Sequence, residues 1–287
     1  MPHRTGLVAL ALTGFAGLIL ASCSSASSDE TQSTTTRPEP TTTTAPIAYR
    51  ATVVHETEVS PGYRQGVAKI QGGWIFSLNN ALFRTDDDFT ELHVGSPAIP
   101  PEYASRGFDH VGDIDVVEGT VYVPLEQPDY TIGTQVMARY AVDTLAFEGG
   151  VDVAQHHNSF VTVDADTGIA YSMDMFGGQA LLRYDTREQW RALSPIAMSM
   201  PVDKVQGGDI VDDAIWLSTD DATDGVYRVD VATGAVQSLG SIGHADGEGE
   251  GIDATPLPSG DLHVLSADVA VVPMRLIDLQ VTDAAHG

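Results

Sequence analysis

The sequence predicts an all-β protein built as a single β-propeller with five four-stranded blades. A polar, glycine-containing cluster and an arginine-containing strand each return five times, at a spacing of about 45 residues. A period of this length is typical of four-stranded propeller blades. Short runs rich in Val, Ile and Thr between Gly-containing turns favour β structure. A sandwich or barrel with evenly spaced strands is the alternative.

Two sets of residues mark the repeats. The clusters begin at Arg64, His110, His156, Gln206 and Glu248. The arginine strands contain Arg84, Arg139, Arg183, Arg228 and Arg275. A longer gap before Arg139 indicates an insertion at 127–135. We interpret the arginines as architectural, because they occupy equivalent places in every unit and a catalytic site is normally asymmetric.

The two ends of the repeat region predict how the ring closes. The last repeat ends near Val281, one strand short of a blade, and the segment 50–59 precedes the first repeat without a partner. We expect this N-terminal strand to complete the last blade. Such a closure joins the two chain ends and removes an exposed strand edge.

The charge balance excludes one class of partner. The chain of 287 residues has 40 acidic and 14 basic residues, for a formal net charge of −26. Nucleic acid is disfavoured, because its affinity comes mainly from Lys and Arg that neutralise phosphates. An acidic surface raises the local cation concentration. An acidic proteome or a salty habitat explains the same composition.

The N-terminal residues predict export and lipid attachment. A short basic start precedes an apolar run, Gly6–Leu20, which has the length of a signal-peptide core. The run ends in Leu20-Ala21-Ser22-Cys23, which resembles the lipobox of bacterial lipoproteins. The resemblance implies cleavage before Cys23 and acylation of its sulfur, which anchors the protein in the lipid bilayer on the outer side of the cytoplasmic membrane. An ordinary secretory peptide with an incidental cysteine is the alternative.

The domain boundaries follow from these signals. Residues 1–22 are assigned to a lipoprotein signal peptide, and 48–287 to the propeller. Between them, residues 23–47 are rich in Ser, Thr and Pro and contain almost nothing apolar to bury. This composition predicts a disordered tether.

The glycine-containing clusters supply the candidate site. In a propeller the first strand of each blade lines the central channel, so the clusters are expected to meet at one mouth. Their polar residues differ from blade to blade, as one asymmetric site requires. The candidate metal or ligand residues are His110, Asp113, His157, Asn158, Gln206, Asp209, Glu248 and Glu250.

The residue types indicate a cation. Carboxylate and amide oxygens suit Ca²⁺, and histidines mixed with carboxylates suit Zn²⁺, Mn²⁺ or Fe. We expect one divalent metal ion and favour calcium. A structural role stays open for Asp113 and Asp209, which can bond backbone amides at the start of their strands. Of His156 and His157, only one is expected to face inward.

One motif resembles a known family. Glu250-Gly251-Ile252 is similar to the Glu-Gly step at the channel of calcium-dependent propeller hydrolases, the gluconolactonase and arylesterase group. The resemblance implies a calcium ion held by residues from different blades, with Asn158 and Asp209 matching only by position. A His or a metal-bound water does the chemistry in that group. Its usual six blades differ from the five counted in this sequence.

Two classes of function follow. The first is a lipid-anchored, extracytoplasmic propeller that binds a small ligand or a cell-envelope component at its channel mouth. The second is an enzyme, either a metal-dependent hydrolase resembling lactonases and esterases or a glycosidase that uses Asp113 and Glu250. Propellers support both classes, so the fold does not choose between them.

Overall fold

Five small antiparallel sheets form a five-bladed β-propeller in the computed structural model, as the repeat spacing predicts. The structure describes residues 47–243, 247–255, 261–268 and 274–284. The segments predicted to be a signal peptide with a lipobox and, except for residue 47, a tether lie outside these residues. In the described parts of the chain, no helix is long and apolar enough to cross a membrane.

The first half of the described chain contains one outer strand and two blades. The outer strand is β1 (Tyr49–Val59). Blade 1 contains β2 (Gly66–Ile70), β3 (Gly73–Leu78), β4 (Ala81–Thr85) and β5 (Glu91–Gly95). The short helix α1 (Pro101–Ala104) follows. Blade 2 contains β6 (His110–Val111), β7 (Asp115–Val117), β8 (Thr120–Glu126), the 3₁₀ turn Tyr130–Ile132, β9 (Gln135–Ala141) and β10 (Phe147–Val153).

Three more blades complete the ring. Blade 3 contains β11 (Thr162–Asp164), β12 (Ile169–Ser172), β13 (Gly178–Asp185), the 3₁₀ turn Thr186–Glu188, β14 (Arg191–Ala192) and β15 (Ile196–Val202). Blade 4 contains β16 (Val205–Val211), β17 (Ala214–Thr219), β18 (Gly225–Asp230) and β19 (Val236–Ser241). Blade 5 contains β20 (Gly247–Asp253), β21 (Asp261–Asp268) and β22 (Met274–Asp283).

The predicted closure is confirmed. Strand β1 pairs antiparallel with β22, and the order in blade 5 is β1-β22-β21-β20 from outside to inside. The register runs from Tyr49 opposite Asp283 to Val59 opposite Met274. The N-terminal strand therefore supplies the outer strand of the last blade.

Tight turns inside the blades follow their sequence. In blade 4, Oδ1 of Asp230 accepts a hydrogen bond of 2.9 Å from the N–H of Thr233, and Gly234 takes a φ of +72°. In blade 3, Asp164 and Gly168 form the matching turn, with a φ of +71° at Gly168. Aspartate bonds its own backbone at such positions, and glycine adopts positive φ at no steric cost.

The hydrophobic core is divided among the interfaces between neighbouring blades. Between blades 4 and 5, for example, Trp216 and Val226 pack with Leu262 and Ile277. Large apolar side chains buried in this way each stabilise the fold by roughly 1.5–3 kcal/mol. Two of the repeated arginines contact a neighbouring blade: Arg84 of blade 1 lies 3.7 Å from Asp143 of blade 2, and Arg228 of blade 4 lies over Tyr49 of blade 5 as well as over Trp216. These contacts agree with an architectural role.

Candidate functional site

The carboxylate of Asp113 lies where the inner strands of the blades converge. Its Oδ1 accepts hydrogen bonds from the N–H groups of Val67 and Ile114, at 3.1 and 3.0 Å. Its Oδ2 accepts from the N–H groups of Gly208 and Ile252, at 3.0 and 3.2 Å. Complete burial raises the pKa of Asp113, and the four N–H donors oppose that rise because they favour the charged form. One side chain thus ties together four blades.

The glycines of the repeated clusters make this convergence possible. A Cβ at Gly251 would lie 2.4 Å from Oδ1 of Asp113, and one at Gly207 would lie 2.7 Å from Oδ2. Real Cβ atoms do not approach other heavy atoms so closely. The recurrence of glycine in the clusters therefore has a packing cause.

A second set of polar side chains joins neighbouring inner strands beyond Asp113. Asp115 accepts from the N–H of Val163 at 2.7 Å, and Asp209 accepts from the N–H of Ala254 at 2.7 Å. The Thr162 hydroxyl lies between the two carboxylates, 3.1 Å from Asp115 and 3.2 Å from Asp209. Asp115 and Asp209 also line a cavity of about 380 Å³, which contains none of the other predicted site residues. Asp209 is therefore placed apart from the channel mouth.

Burial changes the acidity of these carboxyl groups. It raises the pKa of Asp115 to about 6, and it raises the pKa of Asp209 well above its ordinary value. The neighbouring charges of Asp115 and Asp253 add to the rise at Asp209. Protonated carboxyl groups at this end of the channel reduce the repulsion between them.

The opposite end of the inner strands opens into a cavity of about 600 Å³, which we call the mouth cavity. Five of the eight predicted site residues line it: His110, His157, Gln206, Glu248 and Glu250. Asn158 is buried next to it, and its amide donates to the carbonyl of Val136 at 3.0 Å. The structure thus brings together most of the predicted set, without Asp113 and Asp209.

A buried carboxylate contacts one of the histidines. Nδ1 of His157 lies 2.6 Å from Oε1 of Glu126, and both side chains are almost fully buried. The same Oε1 accepts the backbone N–H of Asn158. Nδ1 has no well-aligned hydrogen-bond acceptor, so the contact with Glu126 is a close approach of the two groups and not a linear hydrogen bond. This histidine and carboxylate form one wall of the mouth cavity.

The other wall combines Arg64 with two glutamates. Nη2 of Arg64 lies 3.2 Å from Glu248, and its Nε lies 4.0 Å from Glu250. Burial raises the pKa of Glu250 well above its ordinary value, and the charge of Glu248 adds to the rise. Glu250 is therefore a carboxyl group that faces the cavity and keeps its proton to a higher pH than an exposed glutamate does.

The remaining histidines differ in their surroundings. Burial lowers the pKa of His110, although the nearby charge of Glu126 opposes this. His156 is exposed, and its Nδ1 lies 2.8 Å from the carbonyl oxygen of Tyr130. Adjacent residues of an extended segment face opposite ways, which explains why only His157 lines the cavity.

Several residues that line the mouth cavity were missing from the predicted set, among them Arg64, Glu126 and Tyr130. Glu126 is the last residue of β8 and lies directly opposite His110 of β6 in the register. Because β8 runs back towards the mouth, the polar residue at its end could have been predicted to face the cavity. Tyr130 lies in the insertion at 127–135. The repeat spacing predicts where this insertion occurs in the sequence but not where it lies in space.

Comparison with known proteins supports the fold. No family model matches the chain, and no curated protein matches it in sequence. The glutaminyl cyclase of Myxococcus xanthus is similar in structure, with a TM-score of 0.63 and 13% identity over 83% of this chain and 100% of that chain. A luciferin-regenerating enzyme gives a TM-score of 0.50 and 10% identity over 79% and 78%. These likenesses show the fold.

The oxygen ligands implied for calcium are not brought together. Glu250 lines the mouth cavity, Asp209 lies beyond Asp113, and Asn158 bonds backbone and side-chain neighbours between them. Among the described residues, no group of three or more His, Cys, Asp or Glu is arranged to hold a metal ion. A divalent ion at the mouth stays a prediction, and the Glu250, Asn158 and Asp209 set does not fit it.

Proposed function

We propose that the protein is a lipid-anchored cell-envelope protein that binds, in its mouth cavity, a small polar ligand carrying a positively charged amine. The lining supports this. Asp109, Glu126 and Glu248 contribute carboxylates, and Arg64 is the only Lys or Arg among the described residues that line the cavity. A volume of about 600 Å³ is in the usual range for small-ligand sites. An acidic cleft concentrates and retains cations.

The binding test compares a free amine with its neutral derivative. The whole chain, purified from membranes in detergent, is titrated calorimetrically with alanyl-alanine amide and with its N-acetylated form. The free amine binds and the acetylated probe does not, because acetylation removes the charge that the carboxylates recognise. Equal binding of both probes, or binding of neither, would refute the proposal.

The anchor has its own test. Cys23→Ser removes the sulfur that the lipobox resemblance assigns to acylation. The variant is expected to incorporate no labelled palmitate, whereas the unchanged chain is labelled. A variant that still incorporates the label would show that Cys23 is not the acylated residue.

A second candidate function is catalysis by acid–base chemistry in the same cavity. The contact between His157 and Glu126 orients an imidazole, and the raised pKa of Glu250 supplies a carboxylic acid. In ester or lactone hydrolysis, His157 takes a proton from water, the water oxygen bonds to the carbonyl carbon, and Glu250 protonates the oxygen that leaves. Asp113 has both oxygens bonded by backbone N–H groups, so the glycosidase pair of Asp113 and Glu250 lacks support.

The structural likeness to a glutaminyl cyclase adds one substrate to the test. With glutaminyl-alanine amide, the neutral α-amine nitrogen bonds to the side-chain carbonyl carbon and loses a proton to His157. The amide C–N bond then breaks, and ammonia leaves with a proton from Glu250. Ammonia release is measured beside hydrolysis of lactones and aryl esters, with and without a chelator, and metal content is measured on the same sample. Activity lost with chelator supports the metal-dependent hydrolase. No turnover of any substrate refutes the catalytic candidate and leaves the binding function standing.

A further inference from the structure

One side of the mouth cavity carries exposed aromatic side chains. Phe176 is 60% exposed and Tyr130 is 38% exposed, whereas most other large apolar side chains of the described residues are buried. Tyr130 lines the mouth cavity together with Met175. We call Tyr130, Met175 and Phe176 the aromatic rim. Exposed apolar groups that cluster at a cavity mark ligand or partner contacts more often than isolated ones.

The aromatic rim contacts the polar wall of the cavity directly. The ring of Tyr130 stacks on His157, with centroids 4.3 Å apart and an interplanar angle of 29°. Phe176 meets the same imidazole edge-on, at 5.6 Å and 87°. The rim and His157 therefore form one continuous surface, with apolar groups at the opening and the imidazole further in.

Hydrogen bonds hold the Tyr130 side of the rim in place. The insertion is fastened at its base by Gln127, whose side-chain amide donates to the carbonyl of Thr134 at 2.8 Å and whose N–H donates to Gln135 at 3.0 Å. Asp129 accepts the N–H of Thr131 and so caps the 3₁₀ turn that contains Tyr130. The insertion thus presents its aromatic ring in a fixed position.

The Phe176 side is fastened in the same way. Oδ1 of Asp174 accepts the N–H groups of His156 and His157, at 3.0 and 2.9 Å. The N–H of Gly177 donates to Asp203 at 2.7 Å. These bonds flank Met175 and Phe176 on both sides. A ligand that packs on the rim meets a surface that is already ordered, so little conformational entropy is lost on binding.

The other wall of the cavity is polar and contains Arg64, Glu248 and Glu250. We infer that the ligand is a primary amine that also bears an aromatic group, with the amine held among the carboxylates and the ring packed against Tyr130 and Phe176. This inference rests on the proposed amine-binding function and names the second half of the ligand. Aromatic groups gain affinity from such contacts through buried area and through ring geometry.

The experiment compares two free amines that differ in one side chain. Phenylalanyl-alanine amide and alanyl-alanine amide are titrated calorimetrically into the whole chain in detergent. The phenylalanyl probe is expected to bind roughly tenfold more tightly. In Phe176→Ala this preference falls to about threefold or less. Leu92→Ala is the matched control, because Leu92 is 53% exposed on β5, outside the mouth cavity, and the variant keeps the full preference.

The outcomes separate this inference from the function on which it rests. If neither free amine binds, the proposed function fails and the inference fails with it. If both bind with equal affinity, the amine site is real and the role of the aromatic rim is refuted. If Phe176→Ala keeps the full preference for the phenylalanyl probe, the ligand's ring does not pack against Phe176, and the inference is again refuted.

Discussion

Oδ1 of Asp253 accepts a hydrogen bond of 3.0 Å from the backbone N–H of Lys69, and so joins the inner strand of the last blade to that of the first. Asp115 and Asp209 make the same kind of bond to the next blade. In blade 3, the Thr162 hydroxyl accepts the N–H of Ile210 at 2.9 Å. The ring is therefore closed twice, by side chains near the axis and by β1 at the periphery.

Deleting residues 48–59 is expected to unfold the propeller. Without β1, the whole length of β22 becomes an unpaired edge, and apolar residues of β21 and β22 lose part of their cover. Thermal melting followed by circular dichroism measures the effect. Deleting a similar length from the tether, residues 30–41, is the control and leaves the melting temperature unchanged. A normal melt for the 48–59 deletion would show that β1 is dispensable.

Asp113→Ala is expected to lower the free energy of unfolding by at least about 3 kcal/mol, because it leaves buried backbone N–H groups of several blades without an acceptor. Urea unfolding measures the change. Asp109→Ala removes an exposed carboxylate from the mouth cavity and serves as the control. If the two variants unfold at similar urea concentrations, Asp113 does not hold the blades together.

Stability is expected to fall as pH rises from about 4 to about 6. Burial raises the pKa of Asp115 from 3.8 to about 6, so in this window the folded protein keeps a proton that the unfolded chain has lost. This contribution is complete below pH 4 and is lost as the pH passes 6. The pKa values of Asp209 and Asp253 are raised as well, which acts in the same direction.

Urea midpoints measured across this pH range test the prediction. Asp115→Asn cannot titrate and flattens the dependence, whereas Glu102→Gln removes an exposed charge and keeps it. A slope of the opposite sign in the unchanged protein, or an unchanged slope in Asp115→Asn, would contradict the assignment.

Glu250 and Glu248 are expected to respond differently to the same substitution. Because burial raises the pKa of Glu250 well above its ordinary value, this carboxyl carries less charge than Glu248; Glu250→Gln therefore changes amine binding less than about twofold, while any catalysis that uses its proton is lost. Glu248→Gln removes a half-buried charge that faces the cavity and weakens amine binding about three- to tenfold. Calorimetry and turnover on the same samples measure both effects. Strong loss of binding in Glu250→Gln would show that this carboxyl is charged.

The fold was predictable because each blade has the same packing requirements, so the same residue pattern recurs in the sequence. Glycine returns at Gly66, Gly207 and Gly251 because a Cβ there would collide with Asp113, and at Gly112 because a Cβ there would collide with the carbonyl of Ser159. The missing outer strand was predictable from simple counting, because an incomplete blade at one end needs the unpaired strand at the other. Each of these signals is local in sequence or periodic.

The site was only partly predictable because its residues differ from blade to blade and follow no repeat. Asp113 and Asp209 occupy matched steps beside a glycine, and the sequence could not show that Asp113 binds backbone N–H groups from several blades. Glu126 and Tyr130 lie outside the repeated clusters, so no periodic signal marked them. Which side chains face the cavity depends on the register of the strands, and the register is known only once the pairing of the strands is known.

The pairing of β1 with β22 also sets the timing of assembly. The ribosome makes β1 first among the strands and β22 last, and the two are separated by more than 200 residues of chain. Contacts so distant in sequence form slowly, because a long loop must close before they stabilise anything. Strand β1 therefore stays without its partner until β22 has been synthesised, and a chain whose synthesis is interrupted has no completed ring.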